Sequence, residues 1–447
     1  MTFKLPTYEQ LHDLVNELGF DWTEQEVTEL QTFLGPFAEA YNLVGGLADD
    51  LPPVKYPRLP GYRPEGEENP HNAWQVKTTI EGAPRGKLKV KRLAIKDTIC
   101  VAGVPLSNGS SILEGYVPEI DATIVTRLLD AGATIVGKTS CEYFSFSGGG
   151  ATTASGPVES PRNPGHGPGG SSTGSAAVIV TGEADIAMGG DQAGSIRIPA
   201  SYSGIVGLKP TFGLVPYTGI MGLEFSIDHT GPMTATVADN ALALEVLAGP
   251  DGYDARQRDV KVKRYREALG KGVGAMKIGV VREGFGQEDS EEDVDAFVRA
   301  AARRFADLGA TVEEVSIPWH MNGLPIWGAL VLEGTVDTMM HGNGFGHGPE
   351  GVYLPSMIKA MSLCRERANE LPYTVATAQI LGTYAARNYG GHYYAKAQNL
   401  RRRLRADYDR ALGDYDLLLM PTTRMKATKL PEPAAGYLGD DHQHMPV

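Results

Sequence analysis

The chain has 447 residues, of which 42% are hydrophobic and 21% charged, a composition typical of a globular protein with a sizeable core. Its formal net charge of −13 disfavours nucleic acid or an anionic membrane as the main partner. The three cysteines show neither the spacing of a disulfide framework nor that of a metal site. The first residues lack a signal-peptide pattern, and no apolar run reaches the roughly 18 residues of a membrane span. We therefore expect a cytoplasmic protein.

Residues 1–45 are predicted to form an N-terminal helical segment. Thr7 with Gln10 fits a capping box, and apolar residues follow it at helical spacing. The same device recurs at Thr23. Residues 46–72 combine prolines with charged residues and are predicted to form a linker or an extended surface arm. The helical segment is also a candidate contact in a homodimer.

From residue 73 onward, strand and helix patterns alternate, which indicates a sheet covered by helices on both faces. Asp121 is predicted to cap a helix that ends at Gly132. The other predicted elements are strands at 93–95, 133–136, 277–281 and 310–315 and helices at 294–308 and 392–412. The pattern loosens between about 318 and 390, which indicates either an insertion that covers a pocket or a surface excursion.

Three motifs match known catalytic patterns but lack the required context. Gly132–Thr139 matches the P-loop, yet a helix pattern precedes it and β-branched residues fill its variable positions. Ser172 matches the nucleophile elbow, yet the glycines and prolines before it exclude a preceding strand. Asp228 and His229 are adjacent and would point to opposite faces of a strand, which favours a structural role for the histidine.

Two clusters rich in glycine and serine, Gly169–Ser175 and Gly189–Ser195, flank an apolar run that reads as helix then strand. Such clusters place serine hydroxyls and free backbone N–H groups together. A nucleophile and donors for an oxyanion are the parts of an acyl-transfer site. The alternative interpretation is a pair of glycine-rich turns in which serine is a turn former.

Residues 169–210 resemble the signature of the amidase signature family of serine hydrolases. The resemblance extends over roughly residues 72–423, with further marks at 93–97, 137–139 and 415–422. It implies an α/β fold in which helices cover a central mixed, twisted sheet, with residues 73–447 as the catalytic domain. It implies a small-molecule amide or carbamate substrate, and no metal or organic cofactor.

By this resemblance Ser195 is the nucleophile, Ser171 the bridging serine and Lys96 the base, and the Gly170–Ser171 peptide is cis. A free lysine is almost wholly charged at neutral pH. Burial beside neutral hydroxyls, with no carboxylate close by, would lower its pKa and make it a base. The expected oxyanion donors are the backbone N–H groups of Gln192, Ala193, Gly194 and Ser195.

The residues around these three are given supporting roles by the same resemblance. Asp191 and Arg197 are expected to support the nucleophile turn. Ser172 and Thr173 are expected to neighbour the triad and to hydrogen-bond it, and Gly170 is expected to lie beside it. The acyl pocket is expected to be lined by Tyr143, Phe144, Ser145, Phe146 and Tyr217, and the alternative is that these aromatic rings pack in the core.

The chain departs from the family pattern in several places. Ala193 stands where a glycine is usual, and it would be strained if that position needs a positive φ. Thr173 replaces a glycine, and Ser203 replaces a common cysteine. Family members generally continue through further strands and a last helix, whereas this sequence ends at Val447 after a polar, Pro-rich tail. Either the sheet lacks its usual final strands or the sequence is a shortened form, and in both cases we expect the edge of the pocket to be affected and not the triad.

The phrase at 210–220, with Asp191-Gln192, most resembles bacterial amidases that act on aryl amides, and urethane-cleaving members are also similar. An aromatic-lined pocket favours aryl or hydrophobic acyl groups. Two other functions stay open. One is an amidotransferase subunit that works only in a complex, and the other is an inactive amidase-like scaffold.

Overall fold

The computed structural model describes residues 2–431. The chain divides into two compact units, with the boundary between Pro52 and Pro53. The end of the Pro-rich tail, residues 432–447, lies outside the described residues, and so does any expectation that falls on it. No helix within residues 2–431 combines the length and the apolar character that crossing a bilayer requires.

The first unit is formed by three helices: α1 (Tyr8–Glu17), α2 (Glu24–Phe33) and α3 (Gly35–Gly46). The capping boxes predicted at Thr7 and Thr23 are both present, with each threonine hydroxyl accepting from the backbone N–H three residues on. Leu11, Val15 and Val27 form the buried core of this unit. The helix prediction for residues 1–45 is therefore confirmed.

The second unit contains a central six-stranded sheet. Its strands are β1 (Trp74–Glu81), β2 (Arg92–Lys96), β3 (Thr134–Thr139), β4 (Ile186–Asp191), β5 (Val206–Gly207) and β6 (His229–Thr234). They lie in the order β1-β3-β2-β4-β6-β5. The inner pairings, β3 with β2 and β2 with β4, are parallel, and the outer pairings are antiparallel. The sheet is mixed, as expected.

Helices cover both faces of this sheet. They are α4 (Thr123–Asp130), α5 (Thr173–Val180), α6 (Arg197–Ser203) and α7 (Val237–Leu247). Leu93 and Ile95 of β2 pack with buried residues of α4 and α7, whereas Ala94 between them packs with α5 and Ile196. Successive side chains of a strand point to opposite faces, so the central strand is buried on both sides.

A second sheet has three parallel strands, β7 (Lys277–Val281), β8 (Thr311–Val315) and β9 (Leu417–Leu419), in the order β8-β7-β9. The remaining helices are α8 (Glu292–Asp307), α9 (Gly323–Thr335), α10 (Pro355–Met361), α11 (Tyr373–Tyr389) and α12 (His392–Asp414). Residues Val336–His341 continue α9 as a π-helical turn. The region 318–390, where the sequence pattern loosens, is thus largely helical.

The predicted cap at Asp121 is wrong. Helix α4 begins after Ala122, with no side-chain cap. The Asp121 carboxylate instead forms a buried ion pair with Arg58 at 2.5 Å and accepts the Ala102 N–H at 2.9 Å. This ion pair also shows that the later part of the Pro-rich segment packs within the second unit.

Candidate active site

The carboxyl ends of two neighbouring parallel strands bring the site together. Lys96 is the last residue of β2 and Asp191 the last residue of β4, and the register pairs Ile95 with Met188. Ser195 lies in the turn that directly follows β4. Ligands of open α/β sheets bind at this end of the strands.

Lys96 is completely buried, and its Nζ donates a hydrogen bond of 2.7 Å to Ser171 Oγ. Burial lowers the pKa of Lys96 to about 8, because the charged form loses its hydration. The charges of Cys141, Asp191 and Glu142 act in the opposite direction. The expectation that no carboxylate lies near this amine is therefore wrong. Desolvation nevertheless has the larger effect, so the pKa of Lys96 is lowered overall.

Ser171 is also completely buried, and the peptide bond between Gly170 and Ser171 is cis. The Gly170 N–H donates to Gly148 O at 2.7 Å, and the Ser171 carbonyl accepts the Glu142 N–H at 3.2 Å. A Cβ on Gly170 would lie 2.8 Å from Glu142 Oε1. Only glycine fits at this position without displacing the carboxylate.

The turn that carries Ser195 is held by the buried carboxylate of Asp191. This carboxylate accepts the N–H groups of Gly194 at 2.9 Å and Ile196 at 3.2 Å, and it receives two bonds of 2.9 Å from the Arg197 guanidinium. Burial alone would raise the pKa of Asp191, but Arg197 and the backbone donors bring it below its ordinary value. Asp191 and Arg197 thus contact the turn as the resemblance implies.

Ser195 is 7% exposed, whereas Lys96 and Ser171 are fully buried. The link between the two serine-bearing segments is a backbone hydrogen bond of 3.2 Å from the Ser172 N–H to the Ser195 carbonyl. Within residues 2–431, Ser195 Oγ makes no direct hydrogen bond to Ser171 Oγ. The structure therefore brings the lysine and the bridging serine into contact, and Ser195 is the least buried residue of the three.

The expected oxyanion donors need one correction. The Gly194 N–H is occupied by Asp191 and is not available to a substrate. The N–H groups of Ala193 and Ser195 make no hydrogen bond to other residues in the described part of the chain, and neither does that of Gln192. The positive φ of this turn, 131°, falls on Gly194 and not on Ala193. Alanine at position 193 is consequently unstrained.

Ser172 and Thr173 lie beside the triad without hydrogen-bonding its side chains. The Ser172 hydroxyl lies 3.2 Å from both the N–H and the carbonyl oxygen of Gly190. The Thr173 hydroxyl donates to Ser140 O at 3.1 Å. Both side chains are buried and fix the backbone between the two clusters.

A narrow, closed cleft lies beside Lys96, which is itself completely buried. It is lined by Lys96, Thr98, Asn108, Phe144, Ser145, Gly190, Gln192, Tyr217, Met221, Leu223 and Met339. Three of the five predicted pocket residues, Phe144, Ser145 and Tyr217, are among them. The other two are not, because the Tyr143 hydroxyl turns to Ser111 at 3.0 Å and Phe146 lies outside the lining.

Sequence reasoning missed a polar group at this cleft. Gln192 Nε2 donates to Asp228 Oδ1 at 2.8 Å and to the Tyr217 hydroxyl at 3.0 Å. Burial raises the pKa of Asp228 to about 7. Its neighbour His229 has a pKa lowered to about 4 by burial, and its Nδ1 lies 2.6 Å from Ile227 O. No sequence pattern links residues 192 and 228, whose contact depends on the pairing of β4 with β6.

A second missed feature is a buried ion pair behind the lysine. Lys138 Nζ lies 2.8 Å from Asp97 Oδ1, and both side chains are completely buried. Asp97 Oδ2 also accepts the backbone N–H and the hydroxyl of Ser107, at 2.8 and 2.6 Å. Lys138, the apparent P-loop lysine, therefore lies on β3 and serves a structural contact. The sequence-based rejection of a nucleotide site agrees with this placement.

Comparison with known proteins identifies the family. The profile of the family described as Amidase matches residues 67–444. The chain belongs to the amidase signature family. An enantioselective amidase of Rhodococcus rhodochrous is 45% identical to it over 383 residues, which cover 84% of this chain and 74% of the relative. This amidase-family hydrolase therefore acts on C–N bonds.

Other members of the family are similar in sequence or in structure. A glutamyl-tRNA(Gln) amidotransferase subunit from Koribacter versatilis is 40% identical over 356 residues, covering 78% of this chain and 73% of the relative. The crystal structure of a bacterial aryl acylamidase superposes with a TM-score of 0.67 at 26% identity, covering 78% of this chain and 69% of that one. Both likenesses place this amidase within the same fold.

The pKa of Lys96 predicts how the hydrolysis of an amide varies with pH. Only the neutral amine accepts a proton, so kcat/KM is expected to rise about tenfold per pH unit and to level off above about pH 8. The measurement is kcat/KM for an anilide from about pH 6 to pH 10. If kcat/KM were already constant from pH 6 upward, deprotonation of Lys96 would not control the rate, which would contradict the prediction.

Proposed function

We propose that this amidase hydrolyses small-molecule amides through an acyl-enzyme on Ser195, with Ser171 as the proton relay and Lys96 as the base. The observation that carries the proposal is the 2.7 Å contact between a fully buried lysine and a fully buried serine, with Ser195 in the neighbouring turn and slightly exposed. A lysine whose pKa is lowered to about 8 is partly neutral near physiological pH, as a base must be.

The proposed reaction proceeds in two steps. Ser195 attacks the carbonyl carbon while its proton passes to Ser171, whose own proton passes to Lys96. Collapse of the tetrahedral intermediate breaks the C–N bond, and the relay returns a proton to the departing nitrogen, so that an amine leaves. Water then attacks the acyl-enzyme by the same route and releases the carboxylic acid.

The relay requires Ser195 Oγ to approach Ser171 Oγ once the substrate is bound. Catalytic hydrogen bonds are commonly longer in free enzymes than in their complexes. The N–H groups of Ala193 and Ser195 are the donors proposed for the developing oxyanion, because Asp191 does not occupy them. Such donors stabilise charge that appears only in the transition state.

The proposed substrates are amides of aryl or hydrophobic acids. Apolar side chains of Phe144, Met221, Leu223 and Met339 line the cleft around Lys96. Such walls favour an apolar acyl group over that of acetamide. The names of the enantioselective amidase and the aryl acylamidase among the relatives support this class. Carbamates, which offer the same carbonyl and C–N bond, belong to the proposal.

A second candidate is an amidotransferase subunit, favoured by the 40% identity to the amidotransferase relative from Koribacter versatilis. The two functions separate in one assay. A free amidase hydrolyses an anilide as the isolated chain, whereas a subunit of this kind would need partner chains. Hydrolysis of the anilide by the purified chain alone would identify it as a free amidase.

Labelling with a serine-directed phosphonate tests the nucleophile. We expect one adduct, located on Ser195 by peptide mass spectrometry, because Ser195 is slightly exposed whereas Ser171 and Ser172 are fully buried. Ser195→Ala is expected to abolish both the adduct and hydrolysis. Ser172→Ala is the matched control, since that hydroxyl contacts only the Gly190 backbone, and it should still be labelled at Ser195. An adduct on Ser172 would refute the assignment.

A further inference from the structure

The Gln192 side chain has one polar atom that no residue uses. Its Nε2 donates to Asp228 Oδ1 at 2.8 Å and to the Tyr217 hydroxyl at 3.0 Å, and these two bonds use both hydrogens of the amide group. Its Oε1 is buried and accepts no hydrogen bond from any residue in the range 2–431. A buried acceptor that no residue satisfies gains a hydrogen bond when a substrate donor reaches it.

The surrounding bonds fix which end of the Gln192 amide is unused. The Tyr217 hydroxyl donates its hydrogen to Met221 O at 3.3 Å, so towards Gln192 it can only accept. The Asp228 carboxylate accepts the Leu223 N–H at 3.1 and 3.2 Å. Above about pH 7, where Asp228 is ionised, exchanging the oxygen and nitrogen of Gln192 would place Oε1 against two acceptors. The network therefore leaves Oε1 as the free atom.

The residue that carries this atom lines the cleft in which the proposed base lies. Gln192 and Lys96 both line the cleft, with the bare Cα of Gly190 between them. A Cβ built on Gly190 would lie 3.6 Å from Lys96 Nζ and 3.9 Å from Gln192 Nε2. A substrate group bound to the Gln192 side chain would thus be close to the relay that protonates the leaving nitrogen.

We infer that Gln192 Oε1 accepts a hydrogen bond from the N–H of the scissile amide and selects primary and secondary amides over esters and N,N-dialkyl amides. The inference rests on the proposed function. An ester has no N–H to offer, so it leaves the buried oxygen unsatisfied, and a site of this kind rejects the analogue that lacks the donor. Gln192 is therefore a specificity-determining residue.

The test compares benzamide with methyl benzoate in the wild type and in Gln192→Met. Both substrates form the same benzoyl-enzyme, so effects on the nucleophile or the oxyanion donors cancel in the ratio of their kcat/KM values. We expect the amide-to-ester ratio to fall about tenfold in Gln192→Met. An unchanged ratio would overturn the inference.

Gln257→Met is the matched control. Gln257 is also partly buried and uses Nε2 for two carbonyls, Gly213 O at 2.8 Å and Gly249 O at 3.0 Å, but its Oε1 is satisfied by the Asp251 N–H. It does not line the cleft. Its amide-to-ester ratio is expected to match that of the wild type. An equal fall in both variants would show a general effect of losing a buried glutamine and would overturn the inference.

Failure of the inference is distinguishable from failure of the proposed function. If the wild type hydrolyses neither compound and forms no benzoyl-enzyme, the proposed function fails. If the wild type is active but Gln192→Met hydrolyses neither compound, the inference is tested by binding instead. The Kd values of benzamide and methyl benzoate are measured with Ser195→Ala, in which Gln192 is intact. There the Kd of benzamide is expected to be about tenfold lower than that of methyl benzoate. Equal Kd values would overturn the inference.

Discussion

Replacing Lys96 with methionine is expected to lower kcat/KM for an anilide by about 10³-fold or more while the protein stays folded. Methionine fills a similar apolar volume but cannot take the proton that Ser171 must pass on. The measurement is kcat/KM at about pH 9, where wild-type Lys96 is mostly neutral. Lys91→Met is the control, since Lys91 forms an ion pair with Asp239 outside the cleft, and it should retain wild-type activity.

The Lys96→Met variant should also change how the free energy of unfolding depends on pH. The pKa of Lys96 is lowered from 10.5 to about 8 in the folded state, so between these values the unfolded chain holds a proton that the folded one has released. The free energy of unfolding of the wild type should then rise by about 3 kcal/mol across this window, relative to Lys96→Met. Parallel curves for the two proteins from about pH 7 to pH 11 would contradict a desolvated amine.

Replacing Asp191 with asparagine is expected to lower kcat/KM at least about 100-fold and the free energy of unfolding by about 3 kcal/mol. The carboxylate holds Gly194, Ile196 and Arg197 at once, and an amide cannot accept from all of them. We place the stability loss at the low end of the range for buried pairs because the Arg197 side chain remains 43% exposed. Chemical denaturation and steady-state kinetics measure the two effects.

Residual activity of Asp191→Asn supplies an independent readout. The Asp191 charge raises the pKa of Lys96, so its removal should move the inflection of the pH profile below about 8. Asp185→Asn is the matched control, because it also weakens an arginine–aspartate pair with a backbone contact, but one that is partly exposed. Its cost is expected to be below about 1 kcal/mol, with unchanged kinetics. Equal losses in both variants would show that Asp191 has no special role in the turn.

Local patterns predicted the elements whose formation depends on neighbouring residues. Thr7 and Thr23 cap their helices because the hydroxyl and the N–H it binds are three residues apart. The predicted strand at 277–281 matches β7, and the helix predicted at 294–308 was found at Glu292–Asp307. In each case the apolar period and a nearby stop signal specify the element before any tertiary contact forms.

Predictions failed where a residue distant in the sequence determines the local structure. Asp121 has the sequence position of a helix N-cap, but its carboxylate forms an ion pair with Arg58, which is distant in the sequence. Helix α9 was not predicted because its sequence is apolar almost all round and shows no helical stripe. Burial among other helices, such as the packing of Ile326 and Leu330 with Ala397, stabilises it instead.

The candidate site shows the same division. Lys96, Ser171 and Ser195 followed from family resemblance, since nothing local marks a lysine as buried. The Gln192–Asp228 contact depends on the pairing of two strands that are separated by a helix in the sequence. The hydrogen bond from the Gly194 N–H to Asp191 could not be predicted either. A glycine-rich sequence does not show which backbone N–H groups remain free to bind a substrate.

The ion pair between Asp97 and Lys138 gives the carboxylate that follows Lys96 in the chain a buried positive partner, 2.8 Å away on the next strand. Without Lys138, Asp97 would be an unpaired buried carboxylate next to Lys96 in the chain, and a negative charge near a lysine favours its charged form. The acidity range in which this amidase works is thus governed in part by a side chain on β3. Sequence drift at position 138 would retune that range while leaving the nucleophile turn in place.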